Sequence, residues 1–139
     1  MLSGHISRLR EHRRAAAFLA VIAGALVFAA AALASGSFTW TAHFNSNLRS
    51  RDYSTPNSGT HKITSTADCH NWQMNRSYQV EVWRNIDFWP DHSYGRHTYY
   101  CGETDATSWS IGDTGTFHFD LHKALDGAYF DLTGKTVYP

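Results

Sequence analysis

Seven of the nine histidines lie between His43 and His122, and two of them frame the densest run of polar chemistry in the chain. His118-Phe119-Asp120-Leu121-His122 alternates imidazole or carboxylate with apolar side chains. On a strand every second side chain shares a face, about 6 to 7 Å apart. His118, Asp120 and His122 therefore form one row. The row is either part of a zinc or copper site completed by a ligand from elsewhere, or the wet face of a strand whose Phe119 and Leu121 enter the core. A second cluster is Asp91-His92 with Arg96-His97, set across an expected turn at Ser93-Tyr94-Gly95. With a carboxylate such as Glu81 or Glu103 it supplies the residue set of general acid–base hydrolysis. Small secreted ribonucleases use that set, but the match is one of composition. Gly-x-Ser-x-Gly, Ser-x-x-Lys, His-Glu-x-x-His and a glycine-rich phosphate loop are all missing.

Aromatic residues are the other excess. All five tryptophans, Trp40, Trp72, Trp83, Trp89 and Trp109, follow residue 34, as do all seven tyrosines. A small core cannot bury so many rings, and exposed aromatics anchor proteins or sugars. Trp72 and Trp89 fall in expected loops, and Tyr94 lies beside a turn signal. These three are the candidate binding residues.

The elements that must position these groups are strands. Thr, Tyr, Phe, Trp, Val and Ser dominate after Ala34, and they favour sheet. Period-two alternation marks strands around Phe38 to Phe44, Lys62 to Cys69, Tyr78 to Trp83, Arg96 to Cys101 and Thr116 to Leu121. Two short late strands are expected around Ala128 to Leu132 and Lys135 to Tyr138, separated by a turn signal at Thr133-Gly134. One helical turn is allowed near Leu121 to Leu125. The polar stretch Asn45 to Gly59 reads as a long loop or mobile arm. The expected fold is all-β, a single antiparallel β-sandwich of six to eight strands.

The first thirty-four residues read as an export signal preceding that domain. Arg8, Arg10, Arg13 and Arg14 form a basic head, Ala15 to Leu33 is apolar, and Ala32-Leu33-Ala34 is a small-x-small cleavage site. If never cut, the same run is long enough to anchor the domain outside a membrane. The expected organisation is a signal helix over 1–34 and a secreted domain over 35–139, with the membrane-anchored form as the alternative. The leader takes four of the 12 basic residues and one of the 12 acidic ones, leaving the domain at −3. That balance argues against a nucleic-acid partner or an anionic membrane surface. Outside the cell the only cysteines, Cys69 and Cys101, are expected to pair.

The order of features also carries a resemblance. Phe38-Thr39-Trp40-Thr41-Ala42-His43-Phe44 opens the domain, and a strand leads to Cys69. Tyr78-Gln79-Val80-Glu81-Val82-Trp83, Phe88-Trp89-Pro90-Asp91, Tyr94-Gly95 and Tyr99-Tyr100-Cys101-Gly102 follow, and Thr114-Gly115-Thr116-Phe117-His118-Phe119 closes the series. The pattern resembles small secreted proteins of Gram-positive, spore-forming filamentous bacteria, some of them similar to the adaptor subunit of umbrella-shaped toxin particles. The resemblance implies a non-catalytic piece linking a large stalk protein to a lectin, with the polar stretch near the mature N-terminus as the linking arm. The expected function is thus a secreted binding or adaptor module for a protein or cell-surface glycan, without a cofactor. The alternatives are a small hydrolase or a metal-binding protein.

Overall fold

A computed structural model describes residues 35–70 and 76–139. The expected leader over 1–34, with its signal helix, and Trp72 lie outside the described residues. The described residues form nine strands: β1 (Gly36–Phe44), β2 (Asn47–Arg49), β3 (Tyr53–Thr55), β4 (Gly59–Asp68), β5 (Ser77–Arg84), β6 (His92–Tyr100), β7 (Thr104–Ile111), β8 (Gly115–His122) and β9 (Phe130–Tyr138). All pair antiparallel. One sheet has the order β1-β9-β4-β7, the other β2-β8-β5-β6, with β3 also on β8. Among the described residues no helix is long and apolar enough to cross a membrane.

The sheets meet as a sandwich because each contributes one alternating apolar face. Phe38 and Phe44 of β1, Ile63 and Ala67 of β4, and Phe130 and Leu132 of β9 come from one side. Tyr78, Val80 and Val82 of β5 and Phe117, Phe119 and Leu121 of β8 come from the other. The tyrosines bring hydroxyls into this core and pair them. Tyr99 donates to the Ile63 carbonyl at 2.7 Å, and the Tyr78 hydroxyl meets Ser65 Oγ at 2.5 Å. Cys69 and Cys101 form the expected disulfide, Cα atoms 5.8 Å apart.

Four expectations are corrected. Asn45 to Gly59 is no free arm: β2 and β3 pair with successive parts of β8. No helical turn occurs near Leu121, since Leu121 and His122 still belong to β8. The late turn at Thr133-Gly134 is absent, and β9 runs through it as one strand. Gly134 is there because the Trp40 ring of β1 lies across it: a methyl group at that position would overlap the indole. The turn at Ser93-Tyr94-Gly95 is instead a bulge within β6, with Gly95 at φ 93°. The strand β7 escaped the sequence reading, although Thr107, Trp109 and Ile111 alternate there.

Candidate functional site

The chemistry collects on the outer face of the β2-β8-β5-β6 sheet. Phe117, Phe119 and Leu121 turn inward, so His118, Asp120 and His122 share the outer face of β8 as their spacing requires. Register places Asp120 opposite Glu81 and His118 opposite Trp83 on β5. Glu81 in turn stands opposite Arg96 on β6. Two carboxylates directly across a ladder repel each other, so cations and hydroxyls must gather around them.

They gather around Glu81. Arg96 Nε donates to Oε2 at 2.6 Å, His122 Nε2 lies 3.0 Å from the same oxygen, and Ser93 donates to Oε1 at 2.5 Å. Ser93 and Arg96 are three residues apart and would face opposite ways in a regular strand. The bulge at Tyr94-Gly95 shifts the register by one and brings both onto Glu81. The Glu81 side chain is only 6% exposed. Burial alone would raise its pKa, but the hydrogen bonds from Ser93 and Arg96 and the charges of Arg96 and His122 outweigh burial and hold it below the usual value.

Beside this knot the outer face is closed over. His118 is buried, its Nδ1 2.6 Å from Asn85 Oδ1. Asn85 also donates to Asp52 and accepts from Arg49, which pairs with Asp52 at 3.1 Å. The Trp83 ring stands parallel to His118, centroids 6.3 Å apart. Burial, followed by the Arg49 charge, lowers the His118 pKa. Trp83 Nε1 and Asp120 Oδ1 are both buried here without a hydrogen-bond partner.

The structure thus merges halves of two sequence motifs. Arg96 comes from one, His122 from the other, and Glu81 joins them. His92 packs edge-on to Tyr94, and His97 edge-on to Trp109, so neither reaches the carboxylate. Glu103 sits in the β6–β7 turn. His118, Asp120 and His122 share a face, but His122 turns to Glu81. Among the described residues no three His, Cys, Asp or Glu side chains converge in a way that could hold a metal ion. Ser93 and Asn85 were not foreseen, because only the bulge and the loop fold bring them in.

A separate polar knot forms at the other sheet. Asp131 of β9 accepts from His43 Nδ1 of β1 through one oxygen and from His70 Nε2 through the other, each at 2.5 Å. Those hydrogen bonds hold its carboxyl below the usual range. The ring of His43 stacks on Tyr129 at 4.6 Å.

The candidate binding aromatics separate. Trp89 is 76% exposed, and its neighbour Phe88 is fully exposed at 103%. Both sit at the tip of the β5–β6 connection, residues 85–91. Tyr94 is half-buried against the core and donates to Asp113 at 2.5 Å. Burial and that hydrogen bond push its pKa up to about 12.

No protein-family model matches the chain, and no curated protein matches it. Among solved structures, the Yersinia pseudotuberculosis-derived mitogen is similar over 74% of this chain and 85% of that one, with a TM-score of 0.45 and 7% identity. At that level of likeness no role passes from that protein to this chain.

Proposed function

We propose that the chain is a secreted, non-catalytic binding module, an adaptor that engages a protein or a cell-surface glycan, as in a toxin particle. The observation that carries this is the pair Phe88 and Trp89, exposed together on a braced tip. The tip is held by Asn85 N–H to the Thr116 carbonyl, Ile86 N–H to Asp91 Oδ1 and Trp89 N–H to the Ile86 carbonyl. Phe88 adopts φ 65°, a conformation uncommon for bulky residues. Two large rings displayed on a fixed tip cost little ordering on binding, as an anchor requires. The export leader expected from the sequence and the disulfide support secretion.

The Glu81–Arg96–His122 knot supports a second reading, acid–base hydrolysis, since a carboxylate, an imidazole and a guanidinium lie within hydrogen-bond reach. One experiment separates the two. Wild-type protein is used to capture partners from culture supernatant and on a glycan array, and is also incubated with RNA. The adaptor reading expects capture that Phe88→Ser with Trp89→Ser weakens tenfold or more, while Glu81→Gln leaves it intact. Absence of capture, or capture indifferent to the tip, overturns it. RNA turnover abolished by Glu81→Gln would establish the hydrolase instead.

A further inference from the structure

We infer that the open mouth of the sandwich, between the edge strands β1 and β2, is a binding site for a small amphipathic carboxylate: an apolar chain with one anionic head. Residues of both sheets line a cavity of about 440 Å³ there, within the range of small-ligand sites. Phe38 and Trp40 of β1 form one wall, Leu48 of β2 the other, and Phe119 and Leu121 of β8 the floor. The cavity therefore opens directly onto the hydrophobic core, yet Leu48 remains exposed at its lip.

The walls are fixed before any ligand arrives. The Trp40 indole rests across Gly134, and its Nε1 donates to Thr136 Oγ1 at 3.1 Å. Its ring packs on Phe119 with centroids 5.0 Å apart. Ser50 accepts from the Phe119 N–H, and its own N–H donates to the Phe119 carbonyl, which ties the β2 side to β8. A preformed apolar slot avoids the ordering cost that weakens most small-ligand binding.

The sign of the head group follows from the rim. Arg49 and Arg51 line the cavity, and no Asp or Glu does. Arg49 is already engaged by Asp52 and Asn85. Arg51 has no carboxylate partner among the described residues; its guanidinium lies 4.1 Å from the Phe38 ring centroid. A cation parked on an aromatic ring at the lip of an apolar cavity is placed to receive a carboxylate while the chain enters below. The same geometry offers nothing to a cationic amphiphile.

The test is titration of the purified protein with sodium decanoate, sodium octanoate and decan-1-ol, followed by backbone and indole N–H shifts. Decanoate is expected to shift the Trp40 indole and the amides of Phe38, Leu48 and Phe119. Octanoate should bind more weakly, by about fourfold per missing methylene. Arg51→Gln, a change at an exposed side chain, should weaken decanoate about tenfold and leave decanol unchanged. Ala42→Phe, which narrows the cavity, should weaken both. The inference is overturned if decanoate leaves those residues unshifted, or if Arg51→Gln does not separate acid from alcohol. It is equally overturned if sedimentation finds a dimer that decanoate leaves intact and that Ala42→Phe disrupts, because the cleft would then be an interface between copies of the chain.

Discussion

His61 sits between the two sheets with its side chain wholly inaccessible. Its ring lies 4.6 Å from that of Phe117, and its Nδ1 is hydrogen-bonded to the Tyr53 hydroxyl at 3.0 Å. Nε2 is buried with no partner. An imidazole so placed loses its hydration on charging, and burial holds its pKa down to about 4 from 6.5. The unfolded chain binds the proton first, so acid favours unfolding. Stability is therefore expected to be flat above pH 6.5 and to fall between pH 6.5 and about 4, by about 2–3 kcal/mol from this ring. His118, shifted the same way, adds to the decline. Glu81 acts later, its stabilising contribution being lost only below its ordinary 4.5. Urea midpoints at pH 7.5 and 4.5 measure the effect, and His61→Leu should shrink the difference between them. An unchanged difference in the variant would show that His61 is protonated without penalty.

At the scale of the strand, Gly134 and Trp40 act as one unit. β9 is central, bonded to β1 and β4, where glycine normally weakens a strand. Its gain is the flat seat it gives the indole. Gly134→Ala is expected to cost about 1–3 kcal/mol by overpacking. Trp40→Leu should cost stability alone yet relieve the Gly134→Ala penalty, a coupling that a double-mutant cycle on urea midpoints would read. The same pair shows what the sequence could and could not disclose. Alternation such as Tyr78-Val80-Val82 and Phe117-Phe119-Leu121 marks the core strands directly, since burial of one face leaves a period of two. Gly134 and Gly95 carry the usual turn signal, and only contacts from distant strands reveal a ring seat and a bulge. β2 and β3 are three residues each and too short to show a period. The site was half legible for the same reason. The row His118-Asp120-His122 follows from spacing within one strand, whereas Ser93 and Arg96 meet Glu81 only through a one-residue register shift that spacing cannot encode.

For the whole molecule, the decisive long-range link is the cystine. Cys69 follows β4 of one sheet, and Cys101 follows β6 of the other, so the bond staples the sheets at one end. Two backbone hydrogen bonds flank it: the Cys101 N–H donates to the Arg76 carbonyl at 2.9 Å, and the Gly102 N–H to the Ala67 carbonyl at 3.0 Å. Among the described residues the hydroxyls of Tyr78 and Tyr99 add cross-sheet hydrogen bonds to β4. The sequence separation of 32 sets the size of the loop that the bond closes in the unfolded chain. The chain-entropy relation gives about 3–4 kcal/mol for such a loop. A domain of this size has a net stability of roughly 5–15 kcal/mol, so the bond supplies a large share of it. Cys69→Ala with Cys101→Ala is expected to lower the unfolding free energy by about that amount. The urea m-value should rise at the same time, because an uncrosslinked denatured chain exposes more surface. A loss below about 1 kcal/mol with an unchanged m-value would mean that the paired sheets already restrict the chain without the staple.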